Sequence, residues 1–578
     1  MNRLRSSLQA ARFALLRIFG VAEWQATLLW AIVVGVLGAL VTKVFRTGTL
    51  DFDQLVLGRS GSLVGIALAL PIWARILVPT AGGVLAGLLL ELAKRAAVRK
   101  STSDYMEAIV LGDGRIPVGQ TLARSASSLV TIASGGSIGR EGSMVQLAAL
   151  AASVLGRLRR LPTERLRLVV ACGAAAGITS AYNAPIAGAF FVAEIVLGSI
   201  AMDSVGPILV ASVMANITMR AFPGYEPAYL MPAFPAISGL EVLLFIPLGV
   251  LVGLGAAGFL RGLHASRSLF NRIPLALPWR LALGGLLVGL ISVRVPEVWG
   301  NGYSTVNSVL HTPWPWAMLG LVLLAKVVAT MATAGSGAVG GVFTPALFFG
   351  CMLGALFGEA AQAIWPHATS APFAYAIVGM GAFLAGATQA PLMSILMIFE
   401  MTLSYEVMLP LMASSVIAYF VARATHAGSM YEITMHRREQ ADEQLRLRAL
   451  HVRDLVQPAE TVVGPQADVE EMRRLFWQHP VKYLYVVDAD SRYLGVVPLK
   501  ALTGLDSPGD PAAQPVAANL LVQEIAPIHA DMNLGEALQR FMEHRGERLP
   551  VIESPAHPVL LGVVHKSALL STYVRLSQ

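Results

Sequence analysis

Long apolar segments with short polar connectors occupy the chain from residue 24 to about residue 425, and the pattern changes after residue 436. The first clear span runs from Trp24 to about Val44, close to the ~20 apolar residues that an α-helix needs to cross a bilayer. The later part shows the shorter alternation of a soluble protein. The pattern predicts a membrane domain followed by a soluble domain.

Proline and glycine break many of the apolar segments. Ser62 to Leu92 is one long apolar run that Pro71 and Pro79 interrupt, and several later segments are too short to cross a membrane. Because the chain contains 54 glycines and 32 prolines, we expect discontinuous helices. Such breaks persist in a membrane only where other segments cover them or where they line a polar path.

The soluble part contains an internal repeat. Each copy has a helical segment followed by two apolar strands. The first copy comprises residues 468–477, 482–488 and 494–497, and the second comprises residues 533–543, 549–553 and 561–564. This order predicts an α/β domain made of two similar halves.

Composition and charge agree with a polytopic membrane protein. The 578 residues are 55% hydrophobic and 14% charged, with a mean hydropathy of +0.62. The net charge of +7 comes from basic clusters that flank apolar segments, so it does not indicate a nucleic-acid partner. Because such flanks face the cytoplasm, we expect both termini there. Residues 1–20 predict an amphipathic helix on the cytoplasmic surface of the membrane.

Several functional classes lack the residues they need. Cys172 and Cys351 lie within apolar segments, which predicts neither a disulfide framework nor a metal site. An intramembrane metalloprotease needs a His-Glu-x-x-His spacing, which the sequence does not contain. A divalent-cation transporter needs converging carboxylates in the membrane, whereas the candidate site in this chain offers backbone N–H groups and one glutamate. We therefore expect a protein that is not an enzyme, with no metal and no cofactor.

A glycine-rich break at residues 135–146 contains the charged pair Arg140-Glu141, and apolar sequence resumes at once after it. Ionisable residues at membrane depth are costly, which makes them functional candidates. The helix that follows begins with unpaired N–H groups, which bind anions. A carboxylate there would compete with a soluble anion for these N–H groups. Such competition could act as a gate. From this stretch alone, a polar loop between two membrane helices is an equally good interpretation.

The two halves of the membrane domain repeat the same order of features. A segment from Gly173 to Pro185 leads into an apolar run that ends in Glu194, and a segment from Gly381 to Pro391 leads into a run that ends in Glu400. A glycine-rich break precedes each, at residues 135–142 and 335–345. Close helix packing alone explains the number of glycines but not their matched order. The order predicts a duplicated unit with a binding site where its halves meet.

Three motifs resemble those of the CLC family of chloride channels and chloride/proton antiporters. In chain order they are Gly139-Arg-Glu-Gly142, Gly340-Gly-Val-Phe-Thr-Pro345 and Glu400-Met-Thr402. The resemblance covers residues 24 to 435 and is strongest to bacterial members. It implies an all-α polytopic membrane protein with two inverted repeats, at about 60–235 and 236–425 within a domain of residues 21–435. It also implies a homodimer in the bacterial inner membrane with a separate chloride pore in each subunit.

The resemblance also implies roles for individual residues. Glu141 would be the gating glutamate, and Arg140 and Gly142 would help to form an outer anion site through their main chain. Val342 and Phe343 would offer backbone N–H groups to a central anion. Main-chain donors suit a weakly held halide, because conduction requires that the ion both enters and leaves.

Two hydroxyl groups would complete the central site. Tyr431 matches the tyrosine of the family, although an interfacial tyrosine is the plain alternative. The serine motif of the family is absent, and spacing favours Ser101 over Ser103. Residues 101–104 also suit the cap of the following helix.

One departure concerns proton transport. Antiporters of the family usually carry an inner glutamate just after the position of Glu194, whereas this chain has Ile195 there. Isoleucine cannot transfer protons, and we expect Glu194 to be a structural carboxylate. The sequence favours a voltage-gated-type channel with passive chloride conduction. A chloride/proton antiporter with another inner route, or transport of another anion such as nitrate, remains the alternative.

The soluble repeat resembles a pair of CBS domains, at residues 451–510 and 516–578 after a linker at 436–450. CBS pairs often bind adenine nucleotides through a Thr or Ser and an Asp after the second strand. The corresponding positions here are Pro498 and Ala501, then His565 and Ala568. We therefore doubt nucleotide binding and favour a dimer-stabilising or weakly regulatory module.

Overall fold

The computed structural model describes residues 23–58, 61–95, 104–223, 227–426, 428–431, 451–503, 515–523, 525–544 and 546–577. The chain divides into two compact units at residue 434. The expected N-terminal helix at residues 1–20, the linker at 436–450 and Ser101 lie outside the described residues.

The described part of the first unit consists of helices joined by loops. Its helices are α1 (Glu23–Leu57), α2 (Leu63–Ala69), α3 (Ile72–Arg95), α4 (Tyr105–Val110), α5 (Val118–Ala133), α6 (Glu141–Leu158), α7 (Thr163–Tyr182), α8 (Pro185–Phe190), α9 (Met202–Arg220), α10 (Phe245–Arg272), α11 (Leu277–Ser292), α12 (Tyr303–His311), α13 (Trp316–Gly335), α14 (Phe343–Ile364), α15 (Pro372–Thr388), α16 (Pro391–Thr402) and α17 (Met408–Ala424). A π-helical segment, Phe191–Leu197, continues α8. Among the described helices, six are long and apolar enough to cross a membrane.

Two details differ from the expectation for the first spans. Helix α1 extends to Leu57 rather than ending near Val44. Pro71 separates α2 from α3 as expected, but Pro79 lies inside α3 and does not interrupt it. Gly285 of α11 faces that position, since a Cβ built on it would lie 2.0 Å from the Pro79 carbonyl oxygen. Neighbouring helices make an internal proline tolerable in a membrane helix.

The predicted duplication is visible in the backbone. Helices α7 and α15 each end at a left-handed residue, Asn183 with φ 62° and Gln389 with φ 58°. Each is followed by a short helix that begins with proline, Pro185 in α8 and Pro391 in α16. The two halves therefore share helix ends as well as sequence order.

The second unit contains two three-stranded sheets of the same design. The elements are β1 (Val462–Val463), α18 (Val469–Gln478), β2 (Tyr483–Val487), β3 (Tyr493–Pro498), β4 (Ile528–His529), α19 (Leu534–Glu543), β5 (Arg548–Ile552), β6 (Leu560–His565) and α20 (Lys566–Ser577). In each sheet the first strand pairs parallel and the third antiparallel to the central strand. Asp468 and Asn533 cap the helices of the two copies. The predicted α/β repeat is thus present in both copies.

Candidate anion site

The two glycine-rich breaks meet in the middle of the helical unit. Gly139 and Gly341 form an antiparallel bridge, in which Gly139 N–H donates to Gly341 O at 2.7 Å and Gly341 N–H donates to Gly139 O at 2.9 Å. A Cβ on Gly139 would lie 2.9 Å from the Gly341 carbonyl oxygen. Glycine is therefore needed where the two halves touch.

A helix starts two residues after each bridging glycine. Helix α6 begins at Glu141 with Arg140 as N-cap, and α14 begins at Phe343 with Val342 as N-cap. Neither N-cap side chain accepts a hydrogen bond from its helix. The N–H groups of both first turns therefore remain available, and the helix dipoles place partial positive charge at the same point. This arrangement favours an anion.

A cavity of about 370 Å³ lies against these two helix ends. Among the sequence-predicted residues, its lining contains Glu141, Gly142, Val342, Phe343 and Tyr431. The structure therefore brings together five residues that are up to hundreds of positions apart in the chain.

The segment that carries Tyr431 is fixed to the end of α15. Met430 N–H donates to Ala387 O at 2.9 Å, and Ser429 Oγ donates to Thr388 O at 2.9 Å. The Tyr431 ring packs edge-on against Phe191, with centroids 5.9 Å apart, and Phe191 packs against Phe343 at 6.3 Å. These contacts place the tyrosine beside the start of α14.

Charged side chains also reach the cavity. Arg124, Arg267, Asp104 and Glu107 belong to its lining. Arg140 is not part of this lining. It lines a separate cavity of about 130 Å³ together with Asp53 and Tyr303. Arg140 therefore lines the second cavity and is the N-cap of α6.

The Glu141 carboxylate is almost completely buried, with 1% of the residue exposed. Its Oε1 accepts a hydrogen bond from the Tyr303 hydroxyl at 2.6 Å, while Oε2 has no hydrogen-bond partner among the described residues. The sequence reasoning missed Tyr303. The only available signal was its place after a Gly-Asn-Gly turn at residues 300–302.

Glu194 and Glu400 hold the two halves together reciprocally. Glu194 accepts from the N–H groups of Leu392 and Met393 at the start of α16, at 3.3 and 2.8 Å. Glu400 accepts from the matching N–H groups at the start of α8, at 2.8 and 2.7 Å. Each carboxylate thus caps a helix of the opposite half, as expected of structural carboxylates.

Ile195 follows Glu194 in the π-helical segment and is 5% exposed. Its side chain is apolar and packs within the main hydrophobic core. It is not part of the lining of the 370 Å³ cavity.

The soluble unit has a basic cavity of about 400 Å³. Its lining includes Lys482, Arg548 and Lys566 and the aromatic Tyr485. Burial raises the pKa of Tyr485 to about 12, and the Arg548 charge partly opposes this rise. The hydroxyl therefore stays protonated at neutral pH.

Comparison with known proteins agrees with this geometry. Residues 82–423 match the family described as "Voltage gated chloride channel", and residues 517–575 match the CBS domain family. "Putative chloride channel protein ClcB-like" from Ralstonia nicotianae is 54% identical over 418 residues, covering 72% of this chain and 97% of that protein. "Voltage-gated ClC-type chloride channel ClcB" from Escherichia coli is 40% identical over 408 residues, covering 70% and 97%.

A solved structure described as that of "a slow cyanobacterial Cl-/H+ antiporter" superposes with a TM-score of 0.63 at 28% identity, covering 71% of this chain and 97% of that one. Members of this family are channels and transporters rather than enzymes. The chain belongs to the CLC family of chloride channels and antiporters, as a multi-pass membrane protein with a C-terminal CBS domain.

Proposed function

We propose that the protein conducts chloride passively through the cavity at the start of α6 and α14, with Glu141 as the gate. The observation that carries this proposal is the bridge between Gly139 and Gly341, which aims two helix N-termini at one place. A full positive charge at this place would hold the anion too strongly for rapid transport. Backbone N–H groups provide the weaker binding that conduction needs.

Glu141 and the anion compete for the same donors. The carboxylate is attached to the first residue of α6, so it can reach the N–H groups of the helix ends by rotating its side chain. An anion can occupy these groups only while the carboxylate is elsewhere or protonated. Gly142, Val342 and Phe343 contribute donors, and Tyr431 lines the same cavity.

Passive conduction is favoured because Ile195 occupies the position of the inner proton glutamate. An apolar side chain at this position cannot accept a proton and pass it on. The second candidate function is chloride/proton antiport through another inner route. The structural similarity to a protein described as a Cl−/H+ antiporter favours this candidate. Nitrate is an alternative substrate because the serine motif of the first half differs from that of the family.

We also propose where the protein lies and how its subunits assemble. We place the protein in a bacterial inner membrane as a homodimer, with both termini in the cytoplasm and lipid around its exposed apolar side chains. The CBS pair supports the dimer or regulates it weakly. Because Ala501 and Ala568 occupy the positions of the acidic residue that would bind ribose hydroxyls, it does not act as an adenine-nucleotide sensor. AMP or ATP is expected to leave the thermal unfolding midpoint unchanged, and a saturable increase would contradict this part.

The test of the transport proposal is chloride efflux and proton movement in proteoliposomes, for the wild type and for Glu141→Ala. We expect chloride efflux without coupled proton movement, and faster efflux in the variant. Uphill proton movement that the variant abolishes would establish antiport instead. Nitrate flux without chloride flux would identify nitrate, rather than chloride, as the transported anion.

A further inference from the structure

The Glu141 carboxylate lies in a pose that leaves the backbone donors to the anion. Among the described residues, the Tyr303 hydroxyl is the only hydrogen-bond donor to this carboxylate, and no N–H group of Val342 or Phe343 reaches it. Gly139 makes room for the pose, since a Cβ there would lie 2.2 Å from Glu141 Oε2. The carboxylate is thus held away from the groups for which it competes.

Tyr303 belongs to a chain of hydroxyl groups. Its oxygen lies 3.4 Å from Thr344 Oγ1, which in turn lies 2.8 Å from the Tyr182 hydroxyl. Since a carboxylate can only accept, Tyr303 must donate to Glu141, and its own oxygen is left to accept from Thr344. Hydrogen bonds in such a chain strengthen one another in a buried site. Tyr303 is therefore a stronger donor than an isolated phenol.

A buried lysine holds the turn that precedes Tyr303. Lys326 is fully buried, and its Nζ donates to Val298 O at 2.8 Å and to Gly300 O at 2.7 Å. These carbonyl groups belong to the turn that ends at Gly302, the N-cap of α12, with φ 91°. A Cβ on Gly302 would lie 2.5 Å from the Phe348 ring. The turn is thus specified closely, and α12 starts with Tyr303 directed at the gate.

Resting on the proposed function, we propose that Tyr303 is a positioning residue that gives the gate carboxylate a second bonding site. While Glu141 is bonded to Tyr303, the N–H groups of α6 and α14 are free to hold chloride. Without the hydroxyl, the ionised carboxylate satisfies itself on those N–H groups, because a buried charge without partners is costly. Tyr303 therefore favours the conducting pose of the gate.

The experiment compares Tyr303→Phe with the wild type in chloride efflux from proteoliposomes and in chloride binding by calorimetry. A hydrogen bond to a charged group shifts an equilibrium by about tenfold or more. We expect Tyr303→Phe to slow efflux and to weaken chloride binding by about that factor. The same change in a Glu141→Ala background should have no effect, since no carboxylate is left to position.

Tyr229→Phe is the matched control. The Tyr229 ring packs edge-on against Tyr303 with centroids 4.9 Å apart, and its buried hydroxyl has no hydrogen-bond partner among the described residues. This variant also removes one buried hydroxyl beside the gate but should transport as the wild type does.

Three results would overturn the inference while leaving the proposed function intact: unchanged efflux in Tyr303→Phe, faster efflux, or an equal loss in the Glu141→Ala background. An equal loss there would mark a merely structural role. Absence of chloride efflux in both the wild type and Glu141→Ala would overturn the proposed function, and this inference with it.

Discussion

The two halves of the helical unit share a backbone but differ in the side chains placed on it. Gly139 matches Gly341, and the helix that follows each begins two residues later. Glu194 and Glu400 cap each other's half in the same way. The shared backbone provides anion donors twice. The first helix residue, however, is Glu141 in one half and Phe343 in the other.

A second matched pair differs in the same manner. Arg124 and Lys326 lie at equal distances along the chain before the bridging glycines, on α5 and α13. Arg124 lines the anion cavity, whereas Lys326 is fully buried and binds two carbonyl groups. In the mechanism that we propose, the gating residue Glu141 and the lysine that fixes the turn before Tyr303 therefore lie in different halves.

The largest expected effect concerns the shared framework. Glu194→Ala and Glu400→Ala each remove a carboxylate that accepts two hydrogen bonds from helix N–H groups, and we expect each to lower the free energy of unfolding by about 3 kcal/mol. Thermal unfolding in detergent measures this, with Glu359→Ala on α14 as control. A loss in only one of the two variants would break the equivalence of the halves.

The next prediction separates the two cations. Lys326→Met leaves the carbonyl groups of Val298 and Gly300 without their donor and should lower stability by about 2 kcal/mol. Arg124→Met should instead lower chloride efflux, because a positive charge draws anions into the cavity. Unfolding midpoints and efflux rates measured on both variants check these expectations. Unchanged chloride efflux in Arg124→Met would contradict the second.

The third prediction separates Glu141 from Phe343. Only Glu141 carries a carboxylate that competes with the anion, so Glu141→Ala should raise chloride efflux about tenfold at neutral pH. Phe343→Ala leaves this carboxylate in place and should not raise efflux. Efflux rates of the two variants in proteoliposomes distinguish them, and an unchanged rate in Glu141→Ala would remove the gate from residue 141.

The smallest expected effect concerns two histidines at matching helix ends in the soluble unit. His479 and His544 are both C-caps, of α18 and α19, but His479 lies 3.4 Å from a carboxylate oxygen of Glu460, whereas burial lowers the pKa of His544. A lowered pKa in the folded state means that the unfolded state binds more protons, so stability falls as pH drops below about 6.5. His544→Gln should reduce this loss by at most about 0.5 kcal/mol, given the partial exposure of the ring.

Amide hydrogen exchange of β5 and β6 in the full chain measures this loss. His479→Gln is the control and should leave the acid sensitivity of these strands as it is. A larger effect of His479→Gln would contradict the assignment to His544.

The membrane design could be predicted from the sequence because its signals are local. Glycine breaks, the Arg140-Glu141 pair and the terminal glutamates of α8 and α16 stand out within short stretches. The contact of Tyr303 with Glu141 could not, since 162 residues separate them and no motif links them. From sequence alone Pro79 predicts a break, which is wrong because the facing Gly285 accommodates the proline from a helix distant in the chain. Ser101 and the N-terminal helix stay predictions.

The most direct test of the central claim is the location of bound bromide, a heavier substitute for chloride, by anomalous X-ray diffraction. We expect a bromide within hydrogen-bond distance of the N–H groups of Val342 and Phe343. In Glu141→Ala we expect a second bromide beside the N–H group of Gly142. Bromide bound elsewhere in the helical unit, with none at the start of α14, would contradict the claim that the two helix ends form the anion site.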